Sequence, residues 1–282
     1  MFTISQDECM PKAPLILLPP SEGKAANGNG PALDLASLSF PELTHHREAA
    51  LIALAKAMRG NEAARSKLLG VKGKALAAAT AANKSVLTSP TMTAIDRYTG
   101  VLYDALDVSS LSAIERGRLN AQVMIFSGLW GLVSPEDGLP DYKLKMGAAI
   151  EPVGKLATFW REPITAALAT RTKNTTVWNL LPNEHAAAWA PAPATSKNGP
   201  AAIVSVKFLD ERTPAKGERT FTTVNHWNKL LKGALVRYII ATGADEPAAL
   251  VKFRHPEGYR YDKSLTQIAT NGVTVCMVRP NP

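Results

Sequence analysis

The 282 residues suffice for one large domain or two small ones with a core of useful size. A hydrophobic content of 46% argues against disorder, and no apolar run approaches the roughly 20 residues of a membrane span. The formal charge of +8 favours anionic partners, without separating nucleic acid from nucleotides or anionic lipid. Met1 to Lys12 carries acidic residues and no long apolar stretch, so no signal peptide is expected and the cytoplasm is the default compartment.

In chain order, Pro14–Pro20 (PLILLPP) predicts a short buried strand, and the Gly/Asn-rich 26–31 a loop. Arg47–Met58 has helical spacing, with Leu51, Leu54 and Met58 on one face. Two short helices are expected over 63–69 and 74–82, and one helix over 93–106. Ser112 and Glu115 fit a capping box opening another. A strand over 122–126 feeds a long Gly/Pro/Trp loop, 127–147. Residues 154–171 read as a helix interrupted near Pro163, and 175–180 as a strand. Asn183 is expected to cap a short helix, and 190–200 reads as linker. Residues 203–208 and 219–224 pair as strands around a charged turn. Residues 225–242 form a helix closed by Gly243. The chain finishes as helix 247–253 and strands 259–262 and 273–278. Little regular β-α alternation points to α+β.

The charge is uneven. His45 to Lys84 holds eight Lys/Arg against two Glu, a net +6. Inside it, Leu68–Leu76 (LLGVKGKAL) has the form of a helical hairpin. Gly70 and Gly73 let backbone N–H groups approach a phosphate, and Lys72 and Lys74 add point charge. An ordinary hairpin with a solvated basic face fits the same residues.

Ser21 to Lys24 follow the first strand as a generic phosphate-cradling loop without Walker-A spacing. Arg97 with Tyr98 and Tyr103 can pair a phosphate and stack a base, although core packing suits Tyr103 equally. In the long loop, Ser127 and Gly128 can donate backbone N–H groups, and Tyr142, Lys143 and Lys145 can meet a ligand; Trp130 is one of its aromatics. Glu184, beside His185 at a helix start, and Glu257 are acid/base candidates. The histidines and the two cysteines, Cys9 and Cys276, lack metal-ligand spacing, so neither metal nor cofactor is expected, and a Cys9–Cys276 disulfide is disfavoured.

Taken together, the Pro19–Lys24 loop, Tyr98–Tyr103, Ser127–Gly131, Tyr142–Gly147, Phe159-Trp160, Asn179-Leu180, Glu184, Lys232–Arg237 and Glu257-Gly-Tyr259 resemble the peroxide stress protein YaaA family, a bacterial family. The resemblance runs from Leu15 to about Val278. It implies a cytosolic protein that limits peroxide damage to DNA and proteins, linked to lowered free iron. It also implies a single compact α+β domain over 1–282, with a mixed sheet flanked by helices, a basic cleft, and a DNA-binding helix–hairpin–helix-like element within 45–84. Carried over, that element falls on Lys67 to Lys84, and the cleft draws on Lys24, Arg97, Lys143, Lys145 and Arg237. Asn179 and Tyr259 join the ligand set on the same ground. The chain departs from the pattern at Lys72, which stands at a usual Gly, and in the Ser-Glu-Gly-Lys loop. Two functions therefore stand side by side. One is DNA binding without catalysis. The other is an enzyme acting on a nucleobase, nucleotide or damaged DNA in the cleft formed by the Lys24, Arg97, Ser127 and Glu184 segments. Direct iron binding is third, because no His/carboxylate cluster is evident.

Overall fold

The computed structural model describes residues 13–212, 218–224, 228–255, 257–270 and 272–280. Cys9, His226 and Pro256 lie outside them. Eight strands make one mixed sheet: β1 (Leu15–Leu18), β2 (Val123–Ser127), β3 (Gly131–Val133), β4 (Thr176–Asn179), β5 (Ala202–Arg212), β6 (Thr220–Thr223), β7 (Arg260–Ala269) and β8 (Gly272–Pro280). Their order is β7-β8-β5-β4-β1-β2-β3, with β6 on β5. The five inner strands are parallel, while β3, β6 and β7 run antiparallel to their partners.

A parallel strand covered on both faces has no polar side, so its sequence is a continuous apolar run. β1 (LILL) and β2 (VMIFS) are buried throughout for this reason. The sheet is mixed, as the α+β reading expects.

Seven longer helices cover the sheet: α1 (Thr44–Ala57), α2 (Glu62–Leu69), α3 (Gly73–Lys84), α4 (Val101–Leu106), α5 (Ala113–Gln122), α6 (Arg161–Thr172) and α7 (Asn228–Thr242). α7 packs on α4 and α5, while α1 and α6 share the turn at Pro41–Leu43. Where α7 crosses α4, a Cβ on Gly233 would meet Leu102 O at 2.2 Å, so only glycine admits that approach. α5 opens with the expected Ser112/Glu115 box, both hydrogen bonds formed.

Two local expectations are corrected. The helix over 93–106 divides into Ala94–Arg97 and α4, because Tyr98 turns extended to bridge Lys24 across an antiparallel pair. Asn183 lies inside the short helix Asn183–Ala186, whose cap is Pro182, with no side-chain cap bond.

In the basic hairpin, Gly70 and Gly73 both take left-handed backbone, φ 68° and 54°, while Lys72 between them is extended. The left-handed turn thus falls on Gly70 and Gly73, and the extended backbone at 72 is open to a lysine. Lys56, Arg59, Lys67, Lys72, Lys74 and Lys84 are exposed. Arg47, counted in the same basic stretch, is not: it is fully buried and donates to the Trp130, Leu132 and Ser39 carbonyls.

Candidate functional site

In an open α/β sheet, ligands favour the carboxyl ends of the strands where successive crossovers leave in opposite directions. Here the chain leaves β1 towards β2 on one side and leaves β4 towards β5 on the other. β1 and β4 are neighbours, paired Leu17 to Asn179, so the crevice beyond their ends is such a switch point. A pocket of about 240 Å³ occupies it. Pro19 to Glu22 and Lys24 line it from the end of β1, Pro182, Glu184 and His185 from the end of β4, Tyr142 to Lys145 from the loop after β3, and Lys229 from the start of α7.

The loop carrying Lys24 is held like a short strand. Ala25 N donates to Arg97 O at 2.9 Å and Thr99 N to Gly23 O at 3.2 Å. Behind it, Tyr103 donates its hydroxyl to Pro19 O at 2.8 Å. Lys24 Nζ donates to Ser21 O at 3.2 Å and stands 4.3 Å from the centre of the Tyr142 ring. Burial lowers its pKa to about 8; Asp141 opposes the shift and Lys143 adds to it. An amine half-neutral near pH 8 has roughly a hundred times the neutral fraction of an ordinary lysine at that pH. Competitive acylation across a pH series with peptide-level readout is accordingly expected to label Lys24 with an inflection near pH 8, and ordinary solvated lysines only above about pH 10. An inflection for Lys24 no lower than theirs would refute the shift.

Under the pocket runs a string of hydroxyls. Tyr98 and Tyr142 are 2.7 Å apart, as are Tyr142 and Ser127. Ser127 Oγ also accepts from the N–H groups of Leu129 and Trp130. With both lone pairs so occupied, its hydrogen points to Tyr142. Burial pushes Tyr142 up to about 12 and Tyr98 well above its ordinary value, so both stay neutral. Trp130 packs edge-on against the Tyr142 ring at 5.7 Å.

At the rim, Glu22 pairs with Lys145 at 3.0 Å and Lys143 at 3.4 Å. Lys143 is fixed to α3 by both backbone groups, which bond the Asn83 amide at 2.8 and 3.0 Å. The Lys145 side chain reaches 3.7 Å from where a Cβ would stand on Gly70. The basic hairpin and the pocket are therefore contiguous, joined through Asn83 and Lys145.

On the β4 side, Asn179 Oδ1 accepts from Leu181 N and shapes the turn to Glu184. His185 is buried, and its pKa falls to about 4 through burial, so the imidazole is neutral. Neither ring nitrogen has a hydrogen-bond partner; Nδ1 lies 3.5 Å from Glu184 Oε1 without hydrogen-bond alignment.

The structure brings together Ser21, Lys24, Tyr142, Lys143, Lys145 and Glu184 at the pocket, with Tyr98, Tyr103, Ser127, Trp130 and Asn179 as its supporting layer. It keeps four expected members out. Arg97 is fully buried, and its guanidinium donates to the carbonyls of Leu139, Ala25 and Pro90, so it holds the Lys24 loop rather than an anion. Arg237 caps the end of α4 by donating to Leu106 O and Asp107 O. Tyr259 donates to Asp210, which Arg279 grips at 3.0 and 2.9 Å, and Glu257 faces Arg279 at 3.8 Å. That second cluster lines no part of the pocket. Gly128 is needed for space: a Cβ there would stand 2.7 Å from Leu144 O, and its carbonyl accepts from Trp160 Nε1. Sequence reasoning missed Glu22 as the rim's counter-charge, Asp141, and Lys229; a Pro-Pro-Ser-Glu-Gly-Lys run does signal the first of these.

Among the described residues, no three His, Cys, Asp or Glu side chains converge, and no helix is long and apolar enough to cross a membrane. Cys276 is a buried free thiol.

Comparison with known proteins gives one consistent result. The family model for Peroxide stress protein YaaA matches residues 15–265. A UPF0246 protein of Streptomyces coelicolor is 38% identical over 250 residues, 88% of this chain and 92% of its own. One from Corynebacterium efficiens is 36% identical over 236 residues, 82% of this chain and 86% of its own. One from Corynebacterium glutamicum is 42% identical over 160 residues, 55% and 61% respectively.

Proposed function

From the premise that this chain belongs to the peroxide stress protein YaaA family, we propose that it acts in the cytoplasm by binding DNA through the α2–α3 hairpin and the adjoining rim. One observation carries the reading. Two left-handed glycines shape the turn before a 12-residue helix, and exposed Lys67, Lys72, Lys74 and Lys84 surround it. Backbone N–H groups at a helix start, with lysines beside them, suit a phosphate backbone and read no base. Binding is then sequence-independent and driven by counterion release. Four lysine–phosphate contacts give a slope of about −3 to −4 in log K against log salt. Fluorescence anisotropy on a mixed-sequence duplex measures it, and a flat salt response would sink the reading.

A second reading rests on Lys24. A half-buried amine of lowered pKa, with the Glu184 carboxylate on the opposite wall, is more than phosphate binding requires. It favours chemistry on a base or nucleotide held in the switch-point pocket, with Glu184 as acid/base group and Lys24 as the cation.

A further inference from the structure

The pocket offers three kinds of surface in a fixed order. Pro19, Pro20 and Pro182 give apolar walls, with the buried Tyr142 beneath them and Lys24 Nζ 4.3 Å from its ring. Four lysines line the pocket against two glutamates, a balance of +2 among the lining side chains. At the β4 end lie an acceptor-only carboxylate and a buried imidazole with both nitrogens unpaired. Buried polar groups are almost always satisfied, so an orphaned imidazole lining a pocket calls for a partner that comes with a ligand. The volume of about 240 Å³ equals roughly eight water volumes, enough for one planar ring system and its sugar and too small for a dinucleotide.

We propose that this pocket binds a single nucleoside 5′-monophosphate unit, with the phosphate on the lysine rim, the base against the prolines, and the base's donor edge on Glu184 beside His185. The inference deepens the second reading above and rests on the pocket being a ligand site; it does not need the hairpin to bind DNA. A phosphate monoester carries close to two negative charges, matching the lining balance, whereas a bridging phosphodiester carries one. A carboxylate accepts two hydrogen bonds side by side and donates none. Guanine, with a ring N–H next to an amino N–H, is the base that meets it best. Adenine presents a ring acceptor in the same place and leaves the carboxylate opposed to a lone pair.

Isothermal titration of the full chain with GMP, AMP, guanosine and inorganic phosphate tests this. GMP is expected to bind at least tenfold tighter than each of the other three. Glu184→Gln should bring the GMP-to-AMP ratio close to one. His185→Phe should weaken GMP at least tenfold and leave inorganic phosphate unchanged, with melting temperatures confirming that both variants fold. A 5′-phosphorylated strand ending in an unpaired guanine that displaces GMP would place the source in DNA, and failure to displace it would place the source in the nucleotide pool; both keep the proposed ligand. The proposal falls if GMP shows no saturable binding at millimolar concentration, or binds no tighter than inorganic phosphate, or is unmoved by both variants. Protection of Lys24 from acylation separates the layers. Protection by phosphate but not by GMP overturns the nucleotide inference alone. GMP binding insensitive to Lys24→Met, Glu184→Gln and His185→Phe overturns the pocket reading with it.

Discussion

Gly128→Ala is expected to destabilise the fold by about 3 kcal/mol, at the upper end of what overpacking a tight site costs. The three atoms nearest the added methyl are Leu144 O and Lys145 C at 2.7 Å and Met146 N at 2.8 Å. All are backbone, so no side-chain tip can swing aside. Relief must come from moving the 144–146 segment off the end of β2 or from twisting the 128 turn. The first route drags Lys143 and Lys145 with it, pulls on the Asn83 anchor and opens the pocket. The second strains the Trp160–Gly128 hydrogen bond. For a chain of this size the destabilisation reads as a melting temperature lower by roughly 5 °C. Gly147→Ala is the internal contrast. Its methyl would meet Glu184 Oε2 at 2.6 Å, the end of a half-exposed side chain that can rotate away. That variant should melt close to the parent while displacing the carboxylate. Equal melting temperatures for the parent and Gly128→Ala in differential scanning calorimetry would show that the 144–146 segment yields freely.

What the sequence discloses about this architecture follows from how local each signal is. The β1 run is legible because a strand buried on both faces has only apolar positions, and α5 because a capping box needs just four residues. The parallel centre of the sheet is hidden. Between β1 and β2 the chain passes through five of the seven longer helices, so β-α alternation dissolves into what reads as a helical insert. The candidate site divides in the same way. Lys24 and Glu184 sit in short motifs next to strand ends, and the pocket forms where those ends meet. Arg97 and Arg47 mislead, since a guanidinium in sequence is a charge, and only the fold shows that each is consumed by backbone carbonyls. His185 is the reverse case: its exclusion from water, and hence its neutral state, comes from packing across the switch point and leaves no trace in the residues beside it.

The largest functional effect is expected from reversing charge at the hairpin. Lys72→Glu with Lys74→Glu changes the local charge by four units beside two left-handed glycines. An exposed charge pair at close range is worth on the order of 1 kcal/mol in water, and the variant both removes two attractions and adds two repulsions. Screening over about 10 Å at 0.1 M salt trims this to about 3 kcal/mol, or roughly a hundredfold weaker duplex binding at low salt. The salt slope should fall by about two, because two lysines no longer neutralise a phosphate each. Misfolding is not a competing cause here. Lys72 is the N-cap of α3 and Lys74 lies in its first turn, where a carboxylate favours the helix dipole, so the variant should melt at or slightly above the parent temperature. Lys252→Glu with Lys263→Glu, both exposed and outside the hairpin and the pocket lining, makes the same four-unit change and controls for net charge. A hundredfold weakening confined to the hairpin variant places DNA on α2–α3. If both variants lose affinity alike, the protein answers only to total charge. If neither does, phosphate binding must be sought at the Lys143–Lys145 rim, and the hairpin is a solvated face of the fold.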